Sequence, residues 1–176
     1  MAEEQKSCAD LVSESGKAPN KDCLQAAARD ILNDLDVFDL AWQSHRTKVG
    51  WTLWFIMARS LMGFFFCYER RQNKKTKKYA DDVLAADYLD AGAWKAVAER
   101  IKKERPDDYR AAKEAANKLS AHLTYSRADL RKSGGTPPSA AVHEYLMATA
   151  AIWLDELEPE RRAWFGRGIP SGPRAT

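Results

Sequence analysis

Between Asp22 and Arg46 apolar side chains return every three or four residues, at Leu24, Ala27, Ile31, Leu35, Phe38 and Trp42, while Asp30, Asn33 and Asp34 fall on the other face. That is the period of an α-helix with one side turned inward. A more continuously apolar stretch follows from about Val49 to Arg71, after a boundary at Thr47–Gly50 that reads as a tight turn or a kink. Ala91 to Arg105 carries Trp94, Val97, Ala98 and Ile101 on one side. Pro106 is expected to stop it, and Asp107 or Asp108 to cap a further helix from about Tyr109 to Ser126, because a carboxylate accepts the free N–H groups of a first turn. Ser133-Gly134-Gly135-Thr136-Pro137-Pro138 is a loop, and a last long helix from Ser139 to Leu157 turns Val142, Leu146, Ala150, Trp153 and Leu154 inward. Pro159 to Trp164 adds a short turn. No stretch alternates with period two over a useful length. The pattern predicts an all-α fold, an up-down antiparallel bundle of about five helices. Residues 21–167 form its single domain, between a flexible N-terminus (1–20) and a flexible tail (168–176).

Composition keeps this picture and narrows it. With 45% hydrophobic residues and 6 each of Trp, Tyr and Phe, the chain has the aromatic content of a packed core. The 28 basic and 25 acidic residues leave a net charge of +3, which permits contact with a polyanion without requiring it. Cys8, Cys23 and Cys67 are odd in number and widely spaced with no C-x-x-C pair. They suggest neither a disulfide framework nor a zinc site, and Cys67, in an apolar run, reads as a small core residue. The N-terminus carries Glu3, Glu4 and Lys6 where a leader would be apolar, so a cytoplasmic location is expected. Val49 to Tyr68 is long enough to span a bilayer. Arg59 near its centre would cost about 2.5–3.5 kcal/mol there, so a helix buried in a bundle is expected and no membrane.

Four features carry candidate chemistry. Arg70, Arg71, Lys74, Lys75, Lys77 and Lys78 form a basic run that complements a helix C-terminus or contacts phosphate, as in RNA. Asp81, Asp82 and Asp87 follow; one of the first two is placed to cap a helical turn, and with no histidine or further carboxylate at helical spacing no metal site is expected. Arg59 needs a partner or a wet cavity. Its partners are expected among those aspartates, or else it shares an anion pocket with His122 and Arg127. Finally His122, Tyr125 and Arg127 lie on neighbouring turns, where an imidazole, a phenol and a guanidinium form a possible acid/base and anion-holding group. The structural alternative is a histidine that merely packs and an arginine that pairs with Asp129.

Three blocks in order, Ala58-Arg59-Ser60-Leu61-Met62-Gly63-Phe64-Phe65, Asp81-Asp82-Val83-Leu84-Ala85-Ala86-Asp87-Tyr88 and Ala121-His122-Leu123-Thr124-Tyr125-Ser126-Arg127, resemble a set of bacterial helical proteins that is itself similar to the HEPN superfamily. The resemblance implies a HEPN-like bundle in bacterial defence or toxin–antitoxin systems, where members often cleave RNA without a metal. It implies a His for catalysis at His122, but Asn117 stands where that signature carries Arg, leaving Lys118 or Arg127 to supply the cation. Members without the motif are accessory modules.

The leading expectation is therefore a non-catalytic interaction or accessory module that pairs with itself or with a partner protein, with no cofactor. The first alternative is a metal-independent endoribonuclease using His122 as acid/base, Arg127 with Lys118 or Arg59 against phosphorane charge, and Tyr125 to position phosphate. The second is a small-ligand pocket lined by Trp51, Trp54, Phe55 and Phe64.

Overall fold

A computed structural model describes residues 7–9, 12, 19–70, 72–77, 82–89, 92–118 and 139–166. The described residues form six α-helices and one 3₁₀ turn, with no strand among them: α1 (Lys21–Gln43), α2 (Lys48–Phe66), the 3₁₀ turn Ala85–Tyr88, α3 (Ala93–Glu104), α4 (Pro106–Lys118), α5 (Ala140–Glu156) and the short α6 (Pro159–Ala163). The all-α expectation holds, with α2 packed against α1, α4 and α5. The expected flexible ends fall mostly outside the described residues.

Asn20 starts α1 by accepting the Cys23 N–H on its side-chain oxygen at 2.9 Å. At the other end the chain reverses within Ser44–Thr47, and Thr47 caps α2 by accepting the Gly50 N–H at 3.0 Å. The Thr47–Gly50 boundary is thus a tight turn rather than a kink, and Gly50 is what lets it close: a Cβ there would sit 2.2 Å from the Ser44 carbonyl oxygen. The helices α1 and α2 consequently lie antiparallel with their aromatic faces together.

Two helix boundaries differ from the expected ones. The second helix ends at Phe66, not Arg71, because the chain must leave it for Arg70 to reach Asp87. The fourth begins at Pro106 rather than Tyr109. Proline fits a first helical position because its missing N–H would have no partner there, so Pro106 opens this helix as well as closing the one before. Asp107 and Asp108 lie within the first turn instead of capping it, Asp108 accepting from Arg105 Nε at 2.8 Å.

The core is built around Trp153, fully buried on α5 and ringed by Phe64, Phe65, Tyr88 and Phe165 at centroid distances of 5.0–6.1 Å. Each polar handle of these rings meets a backbone carbonyl. Trp153 Nε1 donates to Ala85, Trp94 Nε1 to Phe65 and the Tyr88 hydroxyl to Leu24. The 3₁₀ turn is thereby sewn to α1 and α5, and α3 to α2. The short α6 folds back on the same region, Arg161 donating to the Tyr88 carbonyl and Glu160 pairing with Lys21. By length and composition α2 is apolar enough to cross a bilayer, with mean hydropathy 1.4, and half of that stretch is buried by the rest of the protein.

The cysteines depart from expectation. Cys8 and Cys23 form a disulfide across 15 residues, and Cys67 is an exposed free thiol rather than a core residue. Spacing gave no hint of the pair, since it fits no motif. Cys67 is exposed because it follows the last residue of α2, where the backbone turns out into an extended conformation.

Candidate functional site

Where α1 and α2 diverge, an open groove of about 620 Å³ runs along their shared face, closed at one side by residues 82–84. Its placement follows from the helix period. Ala27, Asp30, Ile31 and Asp34 form one stripe of α1, and Ile56, Arg59, Ser60, Gly63 and Phe64 form the facing stripe of α2. Gly63 leaves room: a Cβ there would meet nothing within 4 Å. Cys67 stands at the end of the groove opposite Ala27, and Ile56 is half exposed at its side.

The groove is charged along its rim. It holds the carboxylates of Asp30, Asp34 and Asp82 against the single guanidinium of Arg59. Burial holds the Asp34 carboxyl above the ordinary aspartate range, the neighbouring charge of Asp30 adds to this, and a hydrogen bond with Ser60 works in the other direction. Arg59 is exposed and forms no ion pair among the described residues. Of its expected partners, Arg59 pairs with neither Asp82 nor Asp87, and Asp81 lies outside the described residues. Arg59 instead meets the wet surface that was the other way to accommodate it.

Asp87 is taken by Arg70. The two side chains are 5% and 4% exposed, and Arg70 also donates from Nε to the Asp82 carbonyl at 3.1 Å. Asp87 in turn accepts the Leu84 N–H at 2.9 Å and so caps the 3₁₀ turn, the role expected of Asp81 or Asp82. Arg70, a candidate phosphate contact, is thus withdrawn from the surface. The rest of the basic run is built differently. Asn73 Oδ1 accepts the N–H groups of Lys75 and Thr76, Gln72 Nε2 donates to the Lys77 carbonyl, and Lys77 takes a left-handed φ of 59°. This turn presents Lys74, Lys75 and Lys77 to solvent. Arg71 and Lys78 lie outside the described residues, as do His122, Tyr125 and Arg127.

Sequence reasoning missed a buried polar pair. His143 on α5, 1% exposed, donates from Nε2 toward Asp39 Oδ1 of α1 at 3.2 Å, and Asp39 also accepts from Gln43 at 2.8 Å. The imidazole lies in a column of rings: Trp42 stacks on it at 5.1 Å, Phe38 packs at 4.8 Å, and Trp54 stacks on Phe38 at 5.6 Å. Burial depresses the His143 pKa, outweighing the pull of Asp39, so the ring is neutral at neutral pH. Its Nδ1 has no hydrogen-bond partner, which a bare acceptor tolerates better than the N–H of a protonated ring would. The available signal was that α5 is apolar on nearly every side, so its polar residues had to be buried. Of the aromatics proposed for a ligand pocket, Trp54 and Phe55 are core, Trp51 packs against them, and only Phe64 reaches the groove. Among the described residues no group of three or more His, Cys, Asp or Glu side chains is placed to hold a metal.

No protein-family model, curated protein or solved structure matches the chain. The fold and the groove define a class, an all-α helical protein with an acidic, partly apolar groove between its first two helices.

Proposed function

We propose that the chain is a non-catalytic, HEPN-like interaction module of the cytoplasm that docks a basic segment of a partner protein in the α1–α2 groove, in a bacterial defence or toxin–antitoxin setting. The observation that carries this reading is the groove itself. It offers an apolar floor of Ile31, Phe64, Val83 and Leu84, and a rim of three carboxylates against one guanidinium. An amphipathic segment that lays apolar side chains on the floor and Lys or Arg along the rim fits both features. The block resemblance supports the same class, because Asn117 replaces the arginine that catalysis in that superfamily uses.

The test uses two labelled amphipathic peptides of equal apolar content, one with Lys and one with Glu on its polar face, read by fluorescence anisotropy at low and moderate salt. The Lys peptide should bind and the Glu peptide should not. Gly63→Leu, whose Cβ would meet nothing within 4 Å, should abolish binding while leaving the melting temperature intact. Equal binding of both peptides, or binding indifferent to Gly63→Leu, would sink the reading. The exposed lysine turn at Lys74, Lys75 and Lys77 favours a second reading, contact with RNA. Cleavage of tRNA in EDTA that His122→Ala removes would replace the interaction module with the endoribonuclease.

A further inference from the structure

The Cys8–Cys23 bond joins an exposed sulfur to a buried one at a particular place in the fold. Cys8 is exposed, whereas Cys23 is 7% exposed within the first turn of α1. The backbone N–H of Cys23 is held by Asn20, so its sulfur belongs to a capped helix start. Between the two cysteines Val12 is 4% exposed, an apolar anchor outside the main core. Cys23 also lies one turn before Ala27 on the stripe of α1 that lines the groove. The bond therefore fastens the segment carrying Cys8 and Val12 at the end of the groove where Cys67 stands.

We propose that Cys8–Cys23 is a reversible redox tether that fixes the N-terminal segment to the start of α1. The proposal does not depend on what docks in the groove. An external thiolate of the glutathione class attacks the sulfur of exposed Cys8; the S–S bond breaks, and Cys23 leaves as a thiolate that then takes up a proton. A second thiol resolves the mixed disulfide, giving Cys8 and Cys23 as thiols and the reductant as its disulfide. In a reducing compartment the pair rests open, and an oxidised glutathione pool closes it. Closing the loop of 15 residues removes much of the freedom of the open segment, roughly a hundred-fold in the opening equilibrium.

The protein carries its own reference for the test, because Cys67 is exposed and unpaired in either state. The full chain is equilibrated in glutathione buffers of graded potential, quenched with an alkylating reagent and mapped by mass spectrometry. Cys8 and Cys23 should be protected together as a two-electron couple with no added mass, whereas Cys67, which has no partner cysteine, is protected only as its glutathione adduct. Hydrogen exchange on the same samples should be at least about tenfold faster in the first two turns of α1 after reduction, and Cys8→Ser should show the faster exchange at every potential. The proposal is overturned if Cys8 and Cys23 remain open to alkylation, or each carry glutathione as Cys67 does, in oxidised glutathione. It is also overturned if the two states, or Cys8→Ser and the oxidised wild type, exchange alike.

Discussion

Replacing Arg70 by Met tests whether the first residue of the basic run is a pin or a surface cation. Its guanidinium is 4% exposed and spans two partners, the Asp87 carboxylate and the Asp82 carbonyl. Met matches the length of the stem but leaves Asp87, 5% exposed, as a buried carboxylate without its counter-charge. Breaking a buried pair from one side typically costs about 3–5 kcal/mol. Asp87 keeps the Leu84 N–H at 2.9 Å, which offsets part of the loss and favours the lower end, about 3 kcal/mol. For a chain of this size each kcal/mol moves the melting temperature by about 2–4 °C, so Arg70→Met should melt about 6–12 °C lower. Arg70→Lys should lose roughly half as much, since one ammonium cannot serve both partners from two sides. Arg70→Met combined with Asp87→Leu should recover part of the loss, because no lone charge remains buried. Urea unfolding followed by tryptophan fluorescence gives these values with an unchanged slope if only the native pair is affected. An Arg70→Met protein within about 1 kcal/mol of wild type would refute the argument. If the same protein then bound RNA more weakly with a shallower salt dependence, Arg70 would be a phosphate contact after all.

Three further substitutions probe the helix packing and the buried histidine. Gly50→Ala would normally gain roughly 0.5–1 kcal/mol in a helix, but here the new Cβ meets the Ser44 carbonyl oxygen at 2.2 Å. The sign should invert to a loss of about 1–3 kcal/mol; Gly63→Ala, on the same helix with nothing within 4 Å, should show the ordinary gain, and equal effects at both sites would contradict the tight turn. Burial holds the His143 pKa below its ordinary 6.5, so the unfolded chain binds more protons than the native one below about that pH. Stability should be full above it and decline as pH falls toward the depressed native value. His143→Gln, which keeps a donor toward Asp39 without titrating, should flatten that decline in pH-dependent melting curves; an unaltered slope would mean that another group carries it. Asp34 is shifted upward and acts with opposite sign, its neutral form being favoured in the native state.

The helices were legible because each long one repeats its apolar residues at the helical period, and the five expected long helices are the long helices seen. What the sequence did not show was decided by partners far along the chain. Nothing near Phe66 says that α2 stops there; the reason lies 17 residues beyond Arg70, at Asp87. The Cys8–Cys23 bond joins a segment that reads as loose to the first turn of a helix, and with three cysteines no spacing selects the pair. His143 and Asp39 are 104 residues apart and meet only because α1 and α5 pack together.

The two arginines show where reading local composition goes wrong. Arg59 sits among apolar neighbours and was expected to need a partner or a wet cavity, while Arg70 opens a run of charges read as a solvated helix end or a phosphate contact. The structure exchanges them: Arg59 is exposed on the groove and Arg70 is nearly sealed. Composition measures how much of a helix is apolar, whereas burial depends on which side of it another element covers. On α2, apolar almost all round, the side left uncovered is marked by the few residues that could not be buried or had no side chain to bury: Arg59, Ser60 and Gly63. These residues line the groove together with Ile56 and Phe64. The anomaly that Arg59 presents in the sequence was therefore a real signal, not of an ion pair but of the face of α2 that the bundle leaves open.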